Sequence, residues 1–249
     1  MITQKIAELA QKKAAGLTLA DVCIGVGYTG VKLSNGAGGT CFTFRNELGL
    51  HSGVMKNAGQ LQGMKAASAV EMAMSVNLAE ASVGVATINA ILNEEFTEGK
   101  NAFEILQIKE TDTVGMIGYF QPVVKRLKEK VRKLYIFERN ITAEGLLPDW
   151  AENIYLPECD VVIITGVTFI NKTIDHILSL CHHAKEIAIM GASTCMAPAI
   201  LKDYGVTVLA GSRVTDADKL LRVIAQGGGG QDVLKYTQRI CVRLSARRA

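Results

Sequence analysis

The sequence predicts an α/β protein built from an N-terminal α+β half and a C-terminal, Rossmann-like doubly wound parallel sheet. Three observations predict it. In residues 1–100, strand-like runs come first and helical runs follow, which is typical of an α+β arrangement. From Thr113 onward, apolar runs alternate with helical patterns, and strands that are apolar on both faces indicate a parallel sheet covered on both sides. The chain of 249 residues is 49% apolar and 20% charged, the composition of a globular protein with a large core.

The N-terminal half begins with a predicted helix, followed by a small set of strands. Charged and apolar residues alternate over residues 1–15 as in an amphipathic helix. β-branched residues and glycines then favour three strands in residues 18–44, with a turn at YTG and a loop at SNGAGG. Helices are expected around residues 65–74 and 78–93. The polar stretch NEEFTEGKN breaks this pattern, so we predict one domain over residues 1–100 and a second over residues 101–249.

The C-terminal half shows a regular alternation of strands and helices. Its strand-like runs are VGMIGYF, KLYIFE, DVVIITG, EIAIMG and VTVLAG. The helical patterns between and after them cover residues 123–130, 172–183, 198–204 and 216–226. Four glycines at 227–230 predict a flexible turn before a last strand, KYTQRICVRL. This order of elements predicts a doubly wound sheet.

A dinucleotide-binding fingerprint is only partly present after the first of these strands. Gly118 ends the run TDTVGMIG and can make the tight turn of the first fingerprint glycine. The second and third glycine positions hold Phe120 and Val123, and a phenylalanine obstructs close approach of a pyrophosphate to the backbone. Glu138 stands at the spacing expected for a residue that binds a ribose hydroxyl. NAD is therefore disfavoured as a cofactor, although the frame of the unit is present.

Small and polar residues follow three strands of the predicted parallel sheet. In such sheets, ligands bind outside the carboxyl ends of the strands. Each loop alone is explained by turn and helix-capping preferences, but three in parallel favour a site for an anion or a polar metabolite. These residues are Thr165, Gly166, Thr168 and Asn171 after one strand, Gly191, Ser193, Thr194 and Cys195 after the next, and Gly211 and Ser212 after the last.

Charge, hydropathy and cysteine spacing limit the classes of function. The net charge of +3 comes without a basic patch interleaved with aromatic residues, so we expect no nucleic-acid partner. The longest apolar run, residues 161–170, is too short to span a bilayer, and the chain opens without a charged-then-apolar leader. We therefore expect a cytoplasmic homo-oligomer, most simply a dimer, with no membrane partner and with reduced cysteines.

Three motifs together resemble one known family. They are NLAEASVGVATINAILN, LPECDVVIITGVTFINKT and MGASTCMAP, and they occur in the family's order at similar spacing. The chain resembles the heavy-metal chelation domain family over nearly its whole length. The resemblance implies an N-terminal domain like that of enolase, a Rossmann-like second domain, and a site in the cleft between them.

The resemblance also implies candidate site residues. Those for the ligand are Asn35, Gly36, Gly38 and Glu80 in the first half, and Thr165, Asn171, Gly191 and Thr194 in the second, beside Gly118 and Glu138 from the fingerprint. Those for a soft or borderline divalent metal ion are Glu158, Cys159 and Asp160. Other readings stay open at this stage: Asn77 and Glu80 form a helix-capping box, Cys159 is a buried thiol, and Asp160 is a solvated residue that opens its strand.

Two functions are consistent with these residues. The first is a binding protein that holds a metal chelate or a small anionic metabolite in the cleft between the domains, with Asn35 and the glycines of 36–39 closing over the ligand. The alternative is an enzyme that acts on a small anionic metabolite with a nucleotide-like cofactor, such as S-adenosylmethionine, over Gly118 and Glu138. No Ser-His-Asp or Cys-His pattern supports covalent hydrolysis.

Overall fold

The computed structural model describes residues 1–49, 53–97, 99–141 and 143–245. The chain forms two sheets, one in each half. A three-stranded antiparallel sheet has the order β1-β2-β3, and a six-stranded sheet has the order β5-β4-β6-β7-β8-β9. Five strands of the larger sheet are parallel, and only β9 runs antiparallel to its neighbour. The predicted α/β class, with strands and helices alternating in the second half, is confirmed.

The N-terminal half packs three helices with the small sheet. Its helices and strands are α1 (Ile2–Lys13), β1 (Leu19–Ile24), β2 (Tyr28–Leu33), β3 (Gly38–Phe42), α2 (Ala66–Glu71) and α3 (Leu78–Leu92). A 3₁₀ turn at Met72–Met74 continues α2, so the helix predicted over residues 65–74 consists of two shorter pieces.

The helix α3 forms the centre of the N-terminal half. Thirteen of its fifteen residues are buried, because it is apolar on nearly every face and is covered by the sheet and by α1 and α2. It lies so close to β3 that a methyl group on Gly39 would collide with the carbonyl oxygen of Ala86. At its start, the Asn77 side chain accepts hydrogen bonds from the backbone N–H groups of Ala79 and Glu80. Tight packing and a side-chain cap therefore fix this helix.

The C-terminal half alternates strands and helices as predicted, but several helices are shorter. Its elements are α4 (Ala102–Ile105), β4 (Thr113–Ile117), α5 (Gln121–Leu127), β5 (Lys133–Phe137), α6 (Glu152–Tyr155), β6 (Val161–Thr165), α7 (Ile174–Leu180), β7 (Glu186–Met190), α8 (Pro198–Leu201), β8 (Val208–Val214), α9 (Ala217–Ala225), α10 (Gly230–Val233) and β9 (Thr237–Arg243). Gly230, predicted to belong to a turn, is the first residue of α10.

The order of the parallel strands determines where a ligand fits. In chain order within the half, the strands stand as 2-1-3-4-5, one of the two common orders of doubly wound sheets. The crossovers change direction between β4 and β6, and this change opens a crevice at the carboxyl ends of those two strands. The antiparallel β9 completes the sheet, and Arg243 of β9 forms an ion pair of 2.6 Å with the buried Glu186.

Buried polar bonds join the two halves. The Asn93 amide nitrogen donates to the carbonyl oxygens of Thr194 and Ser212, each at 3.1 Å, and its oxygen accepts from the Met196 N–H at 3.0 Å. At the start of α1, the Ile2 N–H donates to the Asp175 carboxylate at 3.0 Å. Specific bonds from Asn93 and from the start of α1 therefore help to join the halves. In the described part of the chain, no helix is long and apolar enough to cross a bilayer.

Candidate functional site

A cavity of about 960 Å³ lies between the two halves. Its floor is the set of loops that follow β4, β5, β6 and β7, and its opposite wall comes from β2, the end of β3 and the turn after it. The residues of the N-terminal wall are Tyr28, Phe42, Phe44, Arg45, Asn46 and Glu47. The cavity thus stands over the crevice between β4 and β6, at the place where doubly wound sheets bind ligands.

Two strand ends form the floor of the cavity. Gly118, directly after β4, has φ of +88°, a conformation that favours glycine. The same residue lies against Thr165 at the end of β6, since a methyl group on Gly118 would be 3.1 Å from the Thr165 Cβ. The Gly118 N–H donates to the Phe137 carbonyl oxygen at 2.9 Å. Small residues at this junction leave the crevice open.

Glu138 follows β5 and binds the neighbouring turn. Its carboxylate accepts hydrogen bonds from the Tyr119 N–H and from the Arg139 N–H, each at 3.0 Å. In a dinucleotide-binding unit, the residue at this position binds a ribose hydroxyl. Here the carboxylate holds the turn after β4 in place.

One guanidinium stands among several carboxylates at one side of the cavity. Arg139 lies 3.0 Å from a Glu47 oxygen and 3.6 Å from an Asp149 oxygen. Glu152, at the start of α6, is 8% exposed and lines the same cavity. Burial, with a smaller contribution from the charge of Asp149, raises the pKa of Glu152 to about 7, although Arg139 acts in the opposite direction. Glu152 therefore exchanges a proton near neutral pH.

The rim of the cavity combines an imidazole with an exposed indole. His176 Nε2 and Asn153 Oδ1 are 2.9 Å apart, and the Asn153 amide nitrogen donates to the Trp150 carbonyl oxygen at 3.1 Å. Trp150 is 65% exposed, although it lines the cavity. It is also the one tryptophan of the sequence, so its fluorescence reports directly on the cavity.

Five of the ten predicted ligand residues line the cavity. They are Gly118, Glu138, Thr165, Asn171 and Gly191. The Asn171 side-chain oxygen accepts from the Thr173 N–H at 3.2 Å and from the Thr173 hydroxyl at 2.8 Å. Thr194 is fully buried beneath the floor, and its hydroxyl has no hydrogen-bond partner among the described residues.

The remaining predicted ligand residues lie elsewhere. Asn35 and Gly36 line a second cavity of about 320 Å³, together with Glu94 and Thr215. Gly38 is buried against Val214. The loop of residues 34–39 therefore does not form a wall of the main cavity, and the N-terminal wall is made by Phe42 to Glu47 instead.

Glu80 serves the start of α3. Its carboxylate accepts a hydrogen bond of 2.6 Å from the Ser75 hydroxyl, within the turn that Asn77 caps. Lys172, which has φ of +63°, donates from its ammonium group to the Ser75 carbonyl oxygen. The Asn77 N–H donates to the Ser75 hydroxyl oxygen at 3.1 Å, so Glu80 supports the capped turn through Ser75 and does not complete a capping box. The Lys172 contact attaches the turn before α3 to the loop after β6.

The three predicted metal ligands lie at the opposite end of β6 from the cavity. Glu158 is exposed, whereas Cys159 is buried and its thiol points to the Tyr155 carbonyl oxygen at 3.3 Å. Burial raises the pKa of Cys159 to about 12. Asp160 accepts from the Thr113 N–H at 2.8 Å. Over the described ranges, no group of three His, Cys, Asp or Glu side chains is placed to hold a metal ion.

Sequence reasoning missed most of the charged residues of the cavity. Arg139 could have been predicted from the sequence, because it directly follows Glu138 at the end of a predicted strand. The other charged or titratable residues stand on three separate segments of turns and short helices, with Asp149 and Glu152 sharing one segment and Glu47 and His176 each on another. No periodic pattern connects these segments. Only the folded chain brings them to one cavity.

Comparison with known proteins gives matches along most of the chain. Two family profiles, both described as "Putative heavy-metal chelation", match residues 7–92 and 101–243. An uncharacterized protein of Methanocaldococcus jannaschii is 34% identical over 159 residues, which is 61% of this chain. The match likewise spans only 61% of the length of that relative.

Two solved structures share the fold. The crystal structure of a DUF364-family protein of unknown function from Pyrococcus horikoshii has a TM-score of 0.85 and 28% identity, and the match covers 98% of this chain and 100% of that one. A second protein of unknown function from the same family, from Desulfitobacterium hafniense, has a TM-score of 0.78 and 24% identity, with 96% and 98% coverage. At that identity, the second structure supports the fold alone.

Proposed function

We propose that this chain, which belongs to the "Putative heavy-metal chelation" family by the profile match over residues 101–243, is a binding protein. In this proposal, the protein holds a metal bound to a small metabolite in the cleft between its two halves. The observation that carries the proposal is the cavity of about 960 Å³ with walls from both halves. The cavity stands at the direction change between β4 and β6, where doubly wound folds bind their ligands.

The size of the cavity favours an organic ligand together with its metal. Small-molecule sites in proteins have volumes of roughly 300–1,000 Å³. A metal ion binds its donors at roughly 2.0–2.6 Å, so a bare ion fills a small part of this space. In the proposal, the metabolite brings donor atoms to the metal, and the cavity binds the whole complex.

The cavity wall suits a flat organic molecule with polar groups. Seven phenylalanine, tyrosine and tryptophan residues line it, and aromatic faces provide large apolar contacts with a polar rim. They are Tyr28, Phe42, Phe44, Tyr119, Phe120, Phe137 and Trp150. Arg45 lines the same wall and forms no ion pair with any described residue, so it is available to a carboxylate of the metabolite.

The first experiment identifies what the protein carries. Protein without an affinity tag is purified and analysed by native mass spectrometry and by elemental analysis. We expect a bound organic mass together with a metal in equal amount, and both should disappear on denaturation. A metal that stays bound without any organic mass would contradict the proposal.

The second experiment locates the binding site. Calorimetry compares Ni²⁺ alone, histidine alone and the Ni²⁺–histidine complex as probes. Ala192→Phe places a ring in the cavity, whereas Ala199→Phe places the same ring on an exposed position of α8 and serves as the matched control. We expect the complex to bind more tightly than either component, and only Ala192→Phe to abolish this binding. Equal binding of the complex by both variants would show that the complex does not bind in the cleft.

A second candidate function keeps the enzyme alternative. Gly118 and Glu138 line the cavity at the position where nucleotides bind in doubly wound sheets, which favours a nucleotide-like cofactor such as S-adenosylmethionine beside a small anionic metabolite. Against this, the Glu138 carboxylate already accepts two backbone hydrogen bonds. Calorimetry with S-adenosylmethionine is the test, and Glu138→Ala should weaken binding. No binding by the parent protein would eliminate this candidate.

A further inference from the structure

Glu152 is a buried carboxyl group that faces the cavity without a protein partner. It is 8% exposed, and among the described residues nothing donates a hydrogen bond or forms an ion pair with it. Buried polar side chains in folded proteins nearly always have a hydrogen-bond partner. A carboxyl group left open at the wall of a large cavity therefore indicates a partner on the ligand.

The other carboxylates of the cavity are engaged. Glu47 contacts the Arg139 guanidinium, and Asp149 contacts both that guanidinium and the Trp150 N–H, the latter at 2.9 Å. Glu138 accepts two backbone hydrogen bonds. Of the four described carboxylates that line the cavity, only Glu152 lacks such a contact.

The charges around Glu152 are unbalanced. The guanidinium of Arg139 serves Glu47 and Asp149, and Glu152 adds a third carboxyl group to the same side of the cavity. The element packed against α6 is α7, which presents His176 to the cavity and ends beside the buried thiol of Cys181. At a pH where Glu152 is ionised, this side carries three negative charges and the one positive charge of Arg139, so a positively charged group of a ligand would be stabilised beside Glu152.

We propose that the cleft selects ligands with a protonated nitrogen, a primary amine or an amidine, which donates a hydrogen bond to the Glu152 carboxylate. This inference rests on the proposed function in one respect, since it takes the same cleft as the ligand site. Trp150 and Tyr119, both exposed at the rim, offer aromatic faces to the flat part of the ligand and to its cationic group. Arg45 is then available to bind an anionic group of the ligand. Amino-acid-like zwitterions carry both kinds of charge and also chelate metals, so their groups match the charged residues of the cavity wall.

The test uses three probes that share a ring and differ in charge: benzylamine, benzyl alcohol and benzoate. Binding is measured at about pH 8, where the amine is protonated, by Trp150 fluorescence and by calorimetry. A charge-assisted hydrogen bond should make benzylamine bind about tenfold more tightly than benzyl alcohol. Glu152→Gln, which keeps the shape of the side chain and removes its charge, should abolish that preference. Glu110→Gln, at an exposed glutamate before β4 and outside the cavity lining, should retain it.

Each possible result of these binding measurements either supports or overturns the inference. Equal binding of benzylamine and benzyl alcohol, an amine preference that survives Glu152→Gln, or no saturable benzylamine binding at millimolar concentration would overturn the inference. Ala192→Phe should remove benzylamine binding, which shows that the probe enters the cleft. If the probes show no amine preference while the Ni²⁺–histidine complex still binds in the cleft, the inference fails and the proposed function stands. If neither the probes nor the complex binds there, both fail.

Discussion

The backbone N–H of Phe42 donates a hydrogen bond of 2.9 Å to the hydroxyl oxygen of Ser193. Phe42 ends the last strand of the N-terminal sheet, and Ser193 stands in the loop after β7 of the other sheet. Both residues line the main cavity. One hydrogen bond therefore connects the opposite walls of the site, and the shape of the cavity depends on how the halves are joined.

Removing this bond should weaken the contact between the halves. Ser193→Ala leaves the Phe42 N–H without its partner, and we expect the free energy of unfolding to fall by about 1 kcal/mol. Denaturant unfolding measures this change. Ser179→Ala, which removes an exposed hydroxyl bonded within α7, is the matched control and should have a smaller effect. Equal losses in the two variants would show that the Phe42–Ser193 bond adds nothing to the joining of the halves.

The side-chain amide of Asn93 connects the two halves more strongly than the bond between Phe42 and Ser193 does. It is 1% exposed and makes three hydrogen bonds with the C-terminal half. Asn93→Ala should lower the free energy of unfolding by about 3 kcal/mol, because several buried backbone groups lose their partner at once. Asn140→Ala, at an exposed position on the cavity rim, should change it by less than about 0.5 kcal/mol. A loss below about 1 kcal/mol for Asn93→Ala would contradict this role.

The stability of the protein should depend on the ionisation of Glu152. Its folded-state pKa of about 7 lies above the ordinary value of 4.5, so the folded protein holds the proton more tightly than the unfolded chain. This contribution is complete below the unfolded pKa and is lost as the pH rises from about 4.5 to about 7. The loss is at most about 3 kcal/mol, because one pKa unit corresponds to about 1.4 kcal/mol.

Glu152→Gln tests this pH dependence. A glutamine cannot ionise, so the variant should equal the parent near the lower end of the window and exceed its free energy of unfolding above pH 7 by about 1–3 kcal/mol. Unfolding is measured in denaturant across the window without ligand. The exposed Glu158→Gln should follow the parent throughout. A constant difference between Glu152→Gln and the parent at all pH values would show that Glu152 does not titrate in this range.

The close approach of α3 to β3 should not tolerate a side chain at Gly39. A methyl group there would collide with the Ala86 carbonyl oxygen and with the Ala90 backbone, neither of which can move alone. Gly39→Ala should therefore destabilise the protein by about 3 kcal/mol or prevent its folding. Gly53→Ala, at an exposed position with open space around it, is the control. If the Gly39→Ala variant were expressed with the stability of the parent, the close packing of α3 on β3 would be contradicted.

The thiol of Cys159 should behave as a core residue. Burial raises its pKa to about 12, so the thiolate that binds metals is scarce near neutral pH. We expect Cys23 and Cys241, which are partly exposed, to react with a thiol reagent before the buried cysteines. Metal uptake by Cys159→Ala should equal that of the parent. A clear loss of uptake in this variant, with stability preserved, would support the predicted site at residues 158–160.

The sequence by itself determined the class of the fold and much of its order. Apolar runs that alternate with helical patterns predicted β4 to β8, because a buried parallel strand must be apolar on both faces, a property visible in one short segment. Gly118 and Thr165 were predicted at the floor of the site because the carboxyl ends of parallel strands share one edge. The start of α3 was predictable from Asn77, since a helix cap depends on one side chain and the backbone N–H groups that follow it directly in the chain.

The tertiary structure alone decided which charges meet. Glu47, Arg139 and the segment that carries Asp149 and Glu152 lie far apart in the chain, and they converge because the N-terminal sheet packs over the crevice between β4 and β6. The sequence analysis predicted that Asn35 and Gly36 close over the ligand. In the structure they line the second cavity, because α9 and the end of β8 cover that side of the small sheet. Burial, and with it the raised pKa of Glu152, is a property of the packed chain and of no single segment.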